Sequence, residues 1–396
     1  MIICILCLSL SVMVGCSRCN NDENGEYPPN GYEPSLPQLT APELRFNYVT
    51  TVLSWDAVTD ATGYIVTLGG GSPTTITAAT QTVDVSQFTT SGIHNLSVTA
   101  IGNEETHLNS NPAVYAFIVG TTGLKFDFDT ITEYLVVDFD GDAAELEGTV
   151  YIPTFVNGKY VKSIAADAFE NAVNVTNFVI PYNLEHIGMN AFTNTGFLNN
   201  HSNNSIMTLA NWIVGYKSDG TTIGVVDIKD GIIGIADGAF SDLPSLSGAN
   251  IPATLRFIGA EAFRSSGIKI DNFAFGLHIE RIGRDAFLGT EVFPNPINNQ
   301  MVYFNNWVLG VSGVLDGNQI IGLNTVGIAD FAFFNSANHT TIDIFIPQSV
   351  TRIGNSAFVS VPNAQLRAQA SSAGENWHHN WYPGGHFEVL WNQNVG

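Results

Sequence analysis

The side chains of this sequence best suited to chemistry are few and clustered. Asp138, Asp140 and Asp142 alternate, with Asp127 and Asp129 shortly before them, and hard carboxylate oxygens grouped in this way can collect Ca²⁺. Gly141 stands at position 4 of that run, whereas an EF-hand loop needs its glycine at position 6, so a solvated turn competes with the calcium reading. His378, His379 and His386 could ligate a transition metal, but the Trp and Gly residues around them favour a capping turn, and no metal or other cofactor is assigned. Trp212 and Trp307 could stack on sugar rings, but a Trp that recurs in register in the repeat favours an architectural role. Cys4, Cys7, Cys16 and Cys19 all lie in the first 19 residues, which excludes a disulfide, a thiolate metal site or a cysteine nucleophile beyond Cys19. The sequence has no phosphate-binding glycine loop with Lys-Ser/Thr, no HExxH and no Gly-x-Ser-x-Gly, so an enzyme is not expected.

Charge narrows the partners further. With 36 acidic and 14 basic side chains the 396-residue chain carries −22, and it has no basic stripe to neutralise a phosphate backbone, so nucleic acid is excluded as a partner. Only 13% of residues are charged, while Gly, Thr, Asn and Ser are frequent, a mix that suits strands and turns more than amphipathic helices.

Ile2 to Val14 is an apolar run too short to span a bilayer and of the length of a signal-peptide core. It ends in Met13-Val14-Gly15-Cys16, which resembles the lipobox of bacterial lipoproteins, with Met13 where that pattern usually has Leu. The resemblance implies that residues 1–15 are removed, that Cys16 is lipidated, and that the protein is held in the bacterial cell envelope, outside the cytoplasm, touching membrane only through this lipid. Residues 16–37 then read as a flexible tether.

Residues 38–120 alternate short β-rich runs with turn signals, as a seven-stranded sandwich does. The stretch LTAPELRFNYVTTVLSWDAVTDATGYIVTL, with SGIHNLSVTAIG after it, resembles a fibronectin type III domain. That resemblance makes Trp55 the core tryptophan, Tyr64 the aromatic of the third strand, and His94 the occupant of the usual corner-tyrosine position.

The rest of the chain repeats. Ile-x-x-x-Ala-Phe occurs seven times, from Ile164–Phe169 to Ile353–Phe358, with Phe-to-Phe steps of 23, 48, 23, 24, 46 and 25 residues. Nine units fit, two of them degenerate, and the full unit is φ-x-x-φ-x-φ-Pro-x-x-φ-x-x-Ile-Gly-x-x-Ala-Phe with φ apolar. Such a unit buries its apolar side only against the coils above and below it. The φ-x-φ part is a strand with one buried face, Gly permits a bend, Ala permits close approach, and Phe fills a central column. The first unit carries an insertion near Asn157–Val161. Asn211-Trp212 and Asn306-Trp307 recur 95 residues apart in the doubled steps, as though a block of coils had been duplicated.

The pattern IPxxLxxIGxxAF looks like the leucine-rich repeat of the BspA-like, or Treponema pallidum type, surface proteins. The fold expected is therefore mainly β: a fibronectin type III-like sandwich followed by a right-handed leucine-rich repeat solenoid, with an N-terminal cap at 121–150, repeats at 151–361 and a C-terminal cap at 362–396, where Trp377, Trp381 and Trp391 seal the last coil. The resemblance implies non-catalytic adhesion to an extracellular protein of a host matrix or another bacterium, and a glycan is the alternative ligand. Because strand side chains alternate faces, Asn177, Val179, Asp227, Asn250, Asn272, Ala274, Asp343 and Phe345 should point outward and make the partner-binding surface.

Overall fold

The computed structural model describes residues 36–47, 52–129, 134–139, 141–276, 278–293, 299–334, 336, 342–361, 364–382 and 389–394. Two compact units divide the chain: described residues up to Ser86 with His94–Ala116, and Gln87–Ile93 with the residues from Phe117 on. Among the described residues no helix is long and apolar enough to cross a membrane.

In the first unit, runs rich in β-branched and aromatic residues give short antiparallel strands between turns. Arg45–Asn47, Val52–Ser54 and Thr82–Asp84 make one sheet. Thr74–Thr77, Gly63–Leu68, Gly92–Ile101 and Ala113–Val119 make the other, in that order. Alternation buries Leu53, Tyr64, Val66, Leu96, Val98 and Ala100. The rings of Trp55, also buried, and Tyr64 meet edge-on at 5.2 Å. The Tyr64 hydroxyl accepts the Val58 N–H at 2.9 Å, which gives this buried phenol a partner.

The second unit is a β-solenoid of about nine turns. The expected φ-x-φ ladder is parallel but comes in three pieces. Glu147–Tyr151 pairs with Asn174–Val179; then Gly224–Asp227, Leu246–Asn250 and Phe273–Ala274 pair in sequence; then Asn318–Ile320, Ile342–Ile346 and Ala364–Ala368. A second parallel ladder, not anticipated from the repeat, joins the residue pairs that end on the repeat isoleucines, such as Gly234–Ile235, Phe257–Ile258 and Arg281–Ile282. The breaks in the first ladder fall at the doubled steps. There each degenerate coil is an antiparallel hairpin, Ser205–Leu209 with Trp212–Lys217 and Gln300–Phe304 with Trp307–Ser312. Its second strand enters the isoleucine ladder by pairing Trp212 with Gly234, or Trp307 with Gly327. The insertion in the first unit is also a hairpin, Phe155–Val156 with Lys159–Ile164, turned by Asn157 and Gly158 at φ 48° and 80°, as an Asn-Gly pair favours.

All seven repeat phenylalanines are buried, at 2% exposure or less. Phe240, Phe263 and Phe287 stack in succession with centroids 5.2 and 5.3 Å apart, and Phe333 stacks on Phe358 at 4.7 Å. At the hairpins, Tyr216 reaches Phe240 and Phe304 reaches Phe287, so aromatic packing continues where the motif lapses.

The glycine after the repeat isoleucine is not a bend residue. Gly188, Gly259, Gly283 and Gly354 have no positive φ, but a Cβ on each would lie 2.4, 2.5, 2.3 and 2.3 Å from an atom of the preceding coil's corner. Where the preceding coil has no such corner, at the first coil and after each hairpin, the same position carries Ala165, Ala236 and Ala329. The left-handed corner residue sits two positions later, at Asp167, Asn190, Gly238, Glu261, Asp285, Phe331 and Ser356.

Trp377 and Trp381 are buried at the end of the solenoid, where Trp381 meets Phe358 edge-on at 5.8 Å and Trp391 packs against both tryptophans. Next to them, His378 accepts the Asn380 N–H through Nδ1 at 3.2 Å. Burial, then the nearby Arg281 charge and His379, pull its pKa down to about 4. A folded-state pKa below the ordinary 6.5 means that the unfolded chain binds the proton first, so stability is present above pH 6.5 and falls as pH drops toward 4. With solvent screening of a half-buried ring, the loss is expected to be about 1–2 kcal/mol. Urea unfolding at pH 7 and pH 4.5 should therefore show a larger acid loss for the wild type than for His378→Gln; equal losses would contradict the assignment.

Candidate functional site

The outward side of the φ-x-φ ladder is where a sheet meets solvent, and the expected residues divide on it. Asp227, Asn250, Asn272 and Ala274 are exposed on the middle three-stranded piece or just before its last strand, with Asp227, Asn250 and Ala274 paired strand to strand. Asn250 donates its amide hydrogen to Asp227 Oδ1. Val225 beside them is also exposed. Gly248 lies between, and a Cβ there would be 2.4 Å from the Asn272 carbonyl oxygen, so only glycine lets the last two strands close up. Asn177 is exposed and Val179 half-buried on the separate two-stranded piece. Asp343 is half-buried and ion-paired with Arg367 at 2.8 Å on the third. Phe345 requires a correction: alternation takes it away from Ile342, Ile344 and Ile346, yet it is 6% exposed and offers no free surface.

The isoleucine ladder carries charged side chains that no motif signalled. Where a hairpin replaces a coil, the coils on either side of it are tied directly. Asp237 accepts the Ala260 N–H through Oδ1 at 2.7 Å and pairs through Oδ2 with His186 Nε2 at 2.9 Å, two coils back. Asp330 does the same in the second block, accepting the Asn355 N–H at 2.7 Å and pairing with Arg281 at 2.7 Å. Burial works against the Arg281 charge, but the attraction of Asp330 and its hydrogen bond outweigh it, leaving the guanidinium pKa raised. The only sequence signal was Asp two residues after the isoleucine in the two coils that follow a doubled step.

His186 Nδ1 also lies 2.8 Å from Ser163 Oγ, so Ser163, His186 and Asp237 form a chain of hydrolase residue types. Ser163 is 4% exposed, and the cavity beside this chain is about 30 Å³, too small for a substrate. In the second block the registered positions are Phe257, Arg281 and Asp330, so what recurs is the tie between coils and not a nucleophile.

The sugar-stacking reading of Trp212 and Trp307 is overturned by their burial, at 1% and 2% exposure. Their rings lie flat over Gly234 and Gly327, where any Cβ would collide with the indole. Among the described residues no group of three or more His, Cys, Asp or Glu is placed to hold a metal. Asp142 caps a short turn by accepting the Ala144 N–H at 2.9 Å, and His378 and His379 stack on each other at 4.5 Å. Cys16, Asp140 and His386 lie outside the described residues.

A stack of coils with a parallel sheet along it and a buried aromatic column is a leucine-rich repeat type of solenoid. Residues 161–293 and 318–376 match the BspA type leucine rich repeat region in six copies, so the repeats are of that type. No curated protein sequence matches the chain. Among solved structures, a leucine rich cell surface protein from Faecalibacterium prausnitzii A2-165 is 20% identical over 62% of this chain and 74% of its own, with a TM-score of 0.21. The T. pallidum leucine rich repeat protein is 14% identical over 68% of this chain and 97% of its own, with a TM-score of 0.21. A leucine-rich repeat protein from Bacteroides ovatus ATCC 8483 is 18% identical over 64% and 66%, with a TM-score of 0.20.

Proposed function

We propose that this is an envelope-anchored, non-catalytic recognition protein that binds an extracellular protein through the outward face of the middle sheet. The observation that carries the reading is the row Val225, Asp227, Asn250, Asn272 and Ala274: exposed, mostly small and uncharged, and held on adjacent coils. A rigid row of this kind supports affinity from many modest contacts and not from one deep pocket. The BspA type of the repeats supports a protein as the partner. The apolar run ending at Cys16 supports a lipid anchor, residues 16–37 a tether, and the antiparallel strands of residues 38–120 a fibronectin type III-like spacer.

The triple variant Asn250→Lys, Asn272→Lys, Ala274→Lys tests it. Against a panel of immobilised extracellular-matrix proteins, the protein that captures the wild type should bind the variant at least about tenfold more weakly, a loss of about 1.4 kcal/mol, with an unchanged melting temperature. Undiminished capture by a folded variant would place the site elsewhere.

A further inference from the structure

Where the outward ladder loses a strand at the first hairpin, a cleft of about 490 Å³ opens between the strand Asn174–Val179 and the hairpin strand Ser205–Leu209. Its walls are Thr176, Phe197, Asn200, His201, Ser202 and Ser205, with Ile206 at one side. The short helix Gly196–Asn199 starts on a Thr195 cap, which fixes Phe197. The Phe197 ring is further held between Phe178 of the core, at 5.9 Å, and His201, at 5.1 Å. Wide open to solvent, the cleft can seat one face of a small organic ligand without enclosing it.

Its polar atoms set the ligand's chemistry. Among the described residues the walls hold no carboxylate, lysine or arginine, and the neighbouring Lys217 ammonium is held by the Asn199 and His201 carbonyls at 2.9 and 2.8 Å, so the cleft has no wall side chain that pairs with a charged ligand. Several of its protons are already committed. Thr176 Oγ1 donates to the Gly148 carbonyl at 3.2 Å, and Ser205 Oγ donates to the Ser202 carbonyl. His201 Nδ1 lies 3.1 Å from the Phe197 carbonyl, which can only accept, so the neutral ring carries its proton on Nδ1 and leaves a lone pair on Nε2. Thr176, Ser205 and His201 therefore present acceptors, while Asn200 and Ser202 can both donate and accept. A ligand that complements them donates several hydrogens, carries no charge and has an apolar face for Phe197. We propose that this cleft is a subsite for a neutral saccharide ring, separate from the protein-binding face and independent of the indoles of Trp212 and Trp307.

Saturation-transfer NMR on the full chain with four methyl glycosides (glucose, galactose, mannose and N-acetylglucosamine) tests it, with sodium phosphate and sodium acetate as charged probes. At least one glycoside should bind with Kd of about 1–10 mM. His201→Phe, which keeps an aromatic ring and removes the acceptor, and the surface pair Asn200→Ala with Ser202→Ala should each weaken it about fivefold or more, roughly 1 kcal/mol. No saturable glycoside up to about 50 mM, binding unaffected by both variants, or binding of phosphate or acetate in its place would each overturn the proposal.

Discussion

Replacing Phe263 by alanine is expected to remove about 3–5 kcal/mol from the stability of the solenoid. Its ring is fully buried and lies between those of Phe240 and Phe287, at interplanar angles of 7° and 9°, with Phe273 meeting it edge-on at 5.1 Å. In a stack where each coil touches only its neighbours, a void at this point weakens two interfaces together. Equilibrium unfolding in urea, followed by tryptophan fluorescence, measures the loss. A change below about 1 kcal/mol would mean that the column does not carry the packing assigned to it.

Asp330→Ala is expected to cost about 2–4 kcal/mol, because it leaves the half-buried Arg281 guanidinium unpaired and takes the acceptor from the Asn355 N–H. Asp330→Asn separates the two effects, since it can keep the acceptor while still leaving the guanidinium unpaired. It should lose most of the same stability. Asp237→Ala should cost distinctly less, because the partner it leaves behind, His186, keeps a second partner in Ser163 and is not a guanidinium, which is always charged. The same urea titrations rank the three variants. Equal losses for Asp237→Ala and Asp330→Ala would contradict a tie based on charge.

The period of the repeat made the solenoid legible, because Ile, Ala and Phe recur at one phase and a buried column demands it. Trp377 and Trp381 were legible as a seal for the same reason: large apolar residues following the last coil have an open end to cover. Three things were hidden. Two degenerate coils preserve the count of turns but not their form, and a run such as Asn211-Trp212-Ile213-Val214-Gly215 reads equally as a coil strand or half a hairpin. The glycines of the motif looked like bend residues because sequence does not reveal φ; the Ala165, Ala236 and Ala329 exceptions carry the information that their role is coil spacing. Alternation fixed the direction of Phe345 but not its burial, which depends on neighbours outside its own strand.

Ligand protection of a single thiol tests recognition by the middle sheet most directly. No cysteine follows Cys19, so in a fragment spanning residues 38–396 the substitution Asn250→Cys places one thiol on the exposed face. With the captured matrix protein at saturation, maleimide labelling of that thiol should slow at least about tenfold, while a control thiol at Tyr182→Cys, a residue 75% exposed and outside the middle sheet, keeps its rate. An unchanged labelling rate at position 250 in the saturated complex would contradict recognition through this face.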